Sequence, residues 1–505
     1  MDIKRAKQEV KDSIEAYLLK DEFGGYRIPA VRQRPVLLMG PPGIGKTQIM
    51  EQIARELKIG LVSYTITHHT RQSAVGLPFI KEKKYGTETF SVTEYTMSEI
   101  IASIYEKMEK TGIREGILFI DEINCVSETL APMMLQFLQG KSFGNQKVPE
   151  GWMIVAAGNP PEYNKSVREF DVVTLDRLKK IDVEADFQVW KEYAYRQKIH
   201  PAVISYLDLR KENFYRIENT VDGMMFATAR GWEDLSELIQ VYETLGKKAD
   251  REVIGQYIQH RMIAKDFANY LELYYKYNRD YKIEDILNRQ WSDHLIEKIR
   301  TAPFDEHLSI IGLLEGKLSE LFSECWQMDA YVSKLYEYLI YYRDNQVSLM
   351  MDDLRILSEK DLEDQKRAEL LSKEQEQTLI RVAETLGRYT LELKGELFCD
   401  EDAFEKVRNL FGEETKALDE KKDFAAKTLA NAFLFLEEAF GESQEMVVFV
   451  TELNANYFGT WFIKENGCEL YYRYNKGLLF DDRQKAVEQQ MNEVEELLNH
   501  GIKEE

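Results

Sequence analysis

Residues 35–50 read "PVLLMGPPGIGKTQIM". An apolar run, Val36 to Met39, meets Gly40, Pro41, Pro42, Gly43, Ile44, Gly45, Lys46, Thr47 and Gln48, and the helical pattern "TQIMEQIARELK" starts within that stretch. The spacing G-x-x-x-x-G-K-[ST] between a strand and a helix is the arrangement that cradles phosphate. Gly43 and Gly45 let backbone N–H groups turn inward, and the helix N-terminus adds partial positive charge. Lys46 is placed to reach β- and γ-phosphates, and Thr47 to offer its hydroxyl to Mg²⁺. Gly40 through Gln48 are therefore the candidate nucleotide contacts.

Further along, "IGLVSYT", "GILFID" and "WMIVAAG" repeat the pattern of a short apolar run followed by a turn or helix start. This alternation up to about Val183 predicts an α/β fold with a parallel sheet and crossover helices. "GILFIDEIN" ends its strand in Asp121 and Glu122. Asp121 is the candidate to hold Mg²⁺ together with Thr47, and Glu122 to act as general base on a water. "WMIVAAGNPPEY", residues 152–163, stops at Gly158, Asn159, Pro160 and Pro161. If the strands are neighbours, Asn159 ends beside the γ-phosphate, where an uncharged amide can orient the nucleophile.

The chain has 505 residues, room for two or more domains. With 44% hydrophobic and 30% charged residues it has a soluble, globular profile, and no apolar run reaches the roughly 20 residues of a membrane span. The N-terminal stretch is a charged amphipathic helix without a signal-peptide core. Cys125, Cys325, Cys399 and Cys468 lie far apart, which argues against a zinc site and fits a reducing, cytoplasmic setting. A net charge of −22 disfavours general nucleic-acid binding. Beyond Asp186 the pattern turns helical, charged stretches follow Tyr342, Ser372 to Gln377 reads as a hinge, and one β-like run stands near "EMVVFVTEL".

Taken in order, these motifs resemble the AAA+ ATPases, and within them the MoxR family of the helix-2-insert group, over roughly Ile28 to Gln290. "GPPGIGKT" matches Walker A, "LFIDEIN" Walker B with Asn124 behind it, and "AAGNPPEYN" sensor 1, at Asn159. "VVTLDRLKK" resembles the arginine-finger segment, placing Arg177 there with Leu178 where the family usually has Phe; Arg168 is a rival finger. "ATARGWEDL" resembles the sensor 2 segment, placing Arg230 there with Ala229 in place of Pro. The segment around Ile28–Pro29 has the position that covers adenine. The inserts "THHTRQSAVGLPFIKEKKYGTETFSVTEY" and "QGKSFGNQKVPEG" correspond to the helix-2 insert and the pre-sensor-1 hairpin. Phe79, Tyr85 and Phe143 are candidate substrate grips or packed core residues, and His68–His69 reads as structural or surface.

The resemblance implies ATP and Mg²⁺ as cofactors and a ring, a hexamer in this family. It implies a von Willebrand factor A-domain partner and a protein complex that is remodelled, matured or activated. A nucleic-acid motor, relying on Lys81, Lys83, Lys84 and Lys147, and a nucleotide-gated switch are the alternatives. The expected division is an N-terminal helix and adenine-side loop at 1–34, a nucleotide-binding α/β domain at 35–185 and a helical lid at 186–290. A mainly helical region at 291–505 carries no assignable motif.

Overall fold

Short apolar runs rich in Val, Ile and Leu can be buried on both faces, and the centre of this chain uses them that way. The computed structural model describes residues 1–476 except 69, 71, 73, 75, 144–145, 164–166, 168–169, 221–222, 346–349 and 394–399. In chain order the strands are β1 (Val36–Met39), β2 (Gly60–Thr65), β3 (Pro78–Tyr85), β4 (Glu88–Tyr95), β5 (Gly116–Asp121), β6 (Ser142–Phe143), β7 (Gln146–Lys147), β8 (Trp152–Gly158), β9 (Lys179–Asp182), β10 (Arg216–Thr220) and β11 (Gly223–Ala227). Five of them form a parallel sheet in the order β2-β5-β8-β1-β9. All seven residues of β8 are buried.

The predicted α/β parallel-sheet core is present, with a mainly helical C-terminal region after it. The sheet has one strand more than the four apolar runs announced. β9, "KKID", is a short edge strand that buries only Ile181, so its lysines hide the strand signal. The register sets the strand ends level: Met39 lies opposite Gly158, Ile120 opposite Ala156, and Thr65 opposite Asp121. Ligand sites of parallel sheets lie outside these carboxyl ends.

The chain divides into two compact units. The first comprises Met1–Val189, Thr228–Gly231 and residues 337–398. In it, helix α1 (Ile3–Leu18) is capped by Asp2 and tied to α2 (Lys46–Leu57) by Lys7 and Lys11, which both reach Glu56 at 2.6 and 2.8 Å. Helices Met351–Arg367 and Lys373–Leu393 pair across a short turn. The expected hinge or loop at Ser372 to Gln377 is instead mostly helix: the second helix begins at Lys373, and the Ser372 hydroxyl caps it by accepting from Gln375 N. The segment read as a helix-2 insert holds the antiparallel hairpin β3–β4, and the segment read as the pre-sensor-1 hairpin holds the two-residue ladder β6–β7.

The second unit comprises Trp190–Ala227, Trp232–Tyr336 and the described part of 399–505. Apart from the β10–β11 hairpin it is built from helices around Trp232, Tyr206 and Phe267, whose ring centroids are 5.1 to 5.7 Å apart. The β-like run "EMVVFVTEL" is a helix, Gln444–Ala455. Met446, Phe449, Val450 and Leu453 are its buried apolar residues, and their three-, four- and seven-residue spacing is helical; burial of that stripe overrides the local β preference of the valines.

Gly116 begins β5 where a side chain has no room: a Cβ there would lie 2.6 Å from Gly60 O and 2.7 Å from the Trp152 ring. Overpacking of this kind costs about 1–3 kcal/mol. Gly116→Ala should therefore lower the unfolding free energy from a urea titration read by circular dichroism by that amount, and with it the midpoint. An unchanged midpoint would show that the two strands spread freely at this end.

Candidate active site

The loop between β1 and α2 takes its shape from backbone that only glycine adopts cheaply. Gly43 and Gly45 have φ of +74° and +90°, in the left-handed region. Gly40 is needed for another reason: its N–H donates to Gly158 O at 3.3 Å, and a Cβ on it would meet Val183 O at 2.6 Å. Ile44 anchors the loop in the core, while the Gln48 side chain lies against Gly45.

Lys46, 8% exposed, turns its ammonium back onto the loop. It donates to Gly40 O at 2.7 Å, Pro41 O at 2.8 Å and Asn159 Oδ1 at 2.8 Å. Burial is the main cause that pushes its pKa down, to about 8; Arg230 adds to this, and Asp121 and Glu122 oppose it. Thr47 donates from Oγ1 to Asp121 Oδ2 at 3.0 Å, so the two residues expected to share a metal ion stand side by side. Pure oxygen donors of this kind suit Mg²⁺.

Glu122 follows with a left-handed φ of +55°, an uncommon and strained conformation for a residue with a side chain. Three hydrogen bonds hold this turn: Glu122 N donates to Asp121 Oδ1, Ile123 N to Ala157 O, and Cys125 N to Glu122 O, at 2.8 to 2.9 Å. Thr67, just past β2, donates from its hydroxyl to Glu122 Oε2 at 2.9 Å. Asn124 is buried and grips the next strand end. Its amide nitrogen donates to Asn159 O at 2.8 Å, and its carbonyl accepts from Asn159 N at 3.3 Å. That approach needs Gly158, where a Cβ would come within 2.6 Å of Asn124 Oδ1.

The structure thus gathers Lys46, Thr47, Asp121, Glu122 and Asn159 at the ends of three adjacent strands. Arg230 joins them: its Cβ is 3.5 Å from where a Gly43 side chain would begin, and its charge acts on Lys46. Thr228 stands equally close to Gly43 and caps the following helix by accepting from Gly231 N at 3.2 Å. Ala229 is the first residue of that helix, a position that also accepts Pro, so the departure from the family pattern leaves the helix start intact.

Arg177 is placed elsewhere, on an exposed turn after the helix Val172–Leu175, donating to Gln139 Oε1. Leu178 behind it is buried in the core. Arg168 and His69 lie outside the described residues. Among the described residues no group of three His, Cys, Asp or Glu side chains could hold a metal ion by itself. Of the expected grips, Phe143 is a core residue, 3% exposed and stacked on Phe137 with centroids 4.1 Å apart. Phe79 and Tyr85 project from the β3–β4 hairpin, 42% and 59% exposed. Near Ile28–Pro29 the loop is pinned by Gln33 Nε2, which donates to Ile28 O, and by Lys141 Nζ, which donates to Ala30 O, at 2.9 and 2.8 Å. Thr67, Thr228 and Gln139 escape a reading of the sequence because their relevance depends on strand order and long-range packing.

Residues 36–175 match the family described as "ATPase family associated with various cellular activities (AAA)". No curated protein matches the sequence significantly. Among solved structures, a mutant of RuvB from Thermotoga maritima is 15% identical and covers 59% of this chain and 75% of its own, with a TM-score of 0.28. No helix among the described residues is long and apolar enough to cross a membrane. The glycine loop, the carboxylate pair on the neighbouring strand and the family match converge on one conclusion: residues 36–175 form the nucleotide-binding core of an AAA ATPase domain.

Proposed function

We propose that the chain is a Mg²⁺-dependent ATPase of the MoxR branch that works as a ring, with six subunits expected. It uses hydrolysis to remodel, mature or activate a protein complex together with a von Willebrand factor A-domain protein, in the cytoplasm. The observation that carries the catalytic part is the convergence of Lys46, Thr47, Asp121, Glu122 and Asn159 at the level ends of β1, β5 and β8. In this reading residues 35–185 hydrolyse nucleotide, 186–290 act as lid and 291–505 dock partners.

Thr47 and Asp121 are the residues that would hold Mg²⁺, which when bound neutralises charge on the phosphates. Lys46 exchanges its loop and Asn159 acceptors for phosphate oxygens. Asn159, freed on one side, orients the attacking water, and Glu122 takes its proton. Arg230 meets the same nucleotide in cis. Arg177, exposed and remote in its bonding from the loop, serves a neighbouring subunit's nucleotide, with Arg168 as the rival. Exposed Phe79, Tyr85 and Phe90 on the insert hairpin suit a polypeptide substrate. Lys81 and Lys83 on the same hairpin both face Glu94, which leaves them poorly suited to phosphates of a nucleic acid.

A nucleotide-gated switch is the second reading, favoured by the bond from Thr67 that engages the Glu122 carboxylate. Thr67→Ala tests that restraint: freeing the base should raise steady-state ATP turnover about tenfold or more, because a hydrogen bond to a charged group contributes about 1.5–3 kcal/mol. A parallel fall in turnover and binding would mean that Thr67 supports the site rather than restraining it.

Glu122→Gln should keep ATP affinity, measured by fluorescent-nucleotide titration, while losing most turnover, because positioning survives and proton acceptance does not. Lys46→Ala should lose the affinity itself. Parental turnover in Glu122→Gln would refute the role of that carboxylate.

An arginine supplied in trans contributes about 10³–10⁵ in turnover. Arg177→Ala should therefore be inactive with ATP affinity nearly intact. Mixing it with Lys46→Ala subunits should restore some activity, since the second brings an intact Arg177 to the intact phosphate loop of the first. No recovery in rings shown to be mixed would move the assignment to Arg168.

A further inference from the structure

The second unit holds a cavity of about 620 Å³, a size typical of small-molecule sites. Its wall includes one face of the helix Phe304–Asp344, and that face is polar: Glu315, Ser319, Ser323 and Gln327 succeed one another every four residues. A helix packed into a helical core presents apolar residues at this spacing. Two of these polar groups are left without partners. Glu315 is 7% exposed, and its Oε1 has no hydrogen bond; the Oγ of Ser323, a residue 2% exposed, has none either. Buried polar atoms are almost always satisfied, so a pair of orphans on one cavity wall marks a place built for a ligand.

The charge around Glu315 decides the kind of ligand. Six carboxyl groups line the cavity (Asp208, Glu243, Glu315, Glu320, Glu324, Glu452) against two lysines, Lys198 and Lys317. The buried Lys191 ammonium is already shared by Asp208, at 2.7 Å, and Glu452, and Tyr195 also donates to Glu452. Lys317 is 3.4 Å from Glu320, and Lys421 is 2.8 Å from Glu324. That leaves Glu315 facing a cluster in which carboxylates outnumber the ammonium. Tyr274 and Tyr275 add aromatic rings, and a ring face attracts a cation.

We propose that this cavity binds a small organic cation, an ammonium or guanidinium group on a short apolar body, with Glu315 as its counter-ion and Ser323 as a second acceptor. The site is independent of the nucleotide chemistry. Burial, with Glu452 and Asp208 beside it, raises the pKa of Glu315 well above the usual carboxylate range, and Lys191 opposes this. Arrival of a cation favours the carboxylate, so the cation should bind more tightly as the pH rises. The other titratable groups on the wall are the carboxyls and lysines named above, His200 with its partner Glu243, and Tyr195, Tyr274 and Tyr275.

Calorimetry on the full chain tests this with agmatine as the cation, 1,4-butanediol as a neutral counterpart and adipate as an anionic one. Agmatine should bind saturably, one per chain, and the other two should not. Glu315→Gln should weaken agmatine at least about tenfold, and Ser323→Ala about threefold, with unfolding midpoints unchanged. Titrations of the unsubstituted chain at several pH values should show affinity rising with pH, a readout that holds even if Glu315→Gln does not fold. Absence of binding at millimolar agmatine, equal binding of the diol, unchanged affinity in Glu315→Gln or affinity that falls as the pH rises would each overturn the proposal.

Discussion

The doubly bonded pair Asn124–Asn159 is the interaction on which the catalytic end of the molecule depends. Parallel pairing of β5 with β8 brings the two strand ends level, but a strand end is free to splay once its ladder stops. The buried amide of Asn124 closes the gap by bonding both the N–H and the carbonyl of Asn159. This leaves the Asn159 side chain to reach Lys46, so the sheet, the sensor position and the phosphate loop are joined in one chain of hydrogen bonds. Each link is partly buried, where hydrogen bonds are electrostatically stronger than in water. Glycine at 158 is a condition of the arrangement, since any side chain would occupy the space that Asn124 fills.

Electrostatics follows from the same geometry. Burial pushes the Lys46 pKa down, with Arg230 adding to this and Asp121 and Glu122 opposing it. A perturbed ammonium where strands end is a mark of a functional site. The strained backbone at Glu122 belongs to this pattern: three hydrogen bonds of the surrounding turn hold a residue in a conformation it would not choose alone.

Much of this was legible in the residues. The glycine spacing at 40–47, the acidic pair closing an apolar run and the Gly–Asn–Pro–Pro stop each carry a local signal whose physics is unaffected by distant packing. What stayed hidden depends on tertiary neighbours. β9 carries lysines because it is an edge, and a short charged tetrapeptide has no periodicity to read. Phe143 reads equally as a grip or as core, and only the Phe137 ring stacked on it makes it core. The valines at 447 and 448 suggest a strand, yet the helix around them follows the four-residue rhythm of its buried face. Thr67 acquires meaning only because β2 lies beside β5, an adjacency that strand order alone decides.

The inward-turned ammonium of Lys46 has a consequence for anion selectivity. Three oxygen acceptors already satisfy all three of its protons, two from the loop's own carbonyls and one from Asn159. A small anion such as sulfate, with one compact set of oxygens, gains little by displacing them, because each new bond replaces an existing one. A polyphosphate tail also meets the N–H groups of the loop and the helix end, contacts that need no displacement. A longer phosphate chain can meet the loop N–H groups and Lys46 at once, and that combination offsets the three bonds the ammonium gives up.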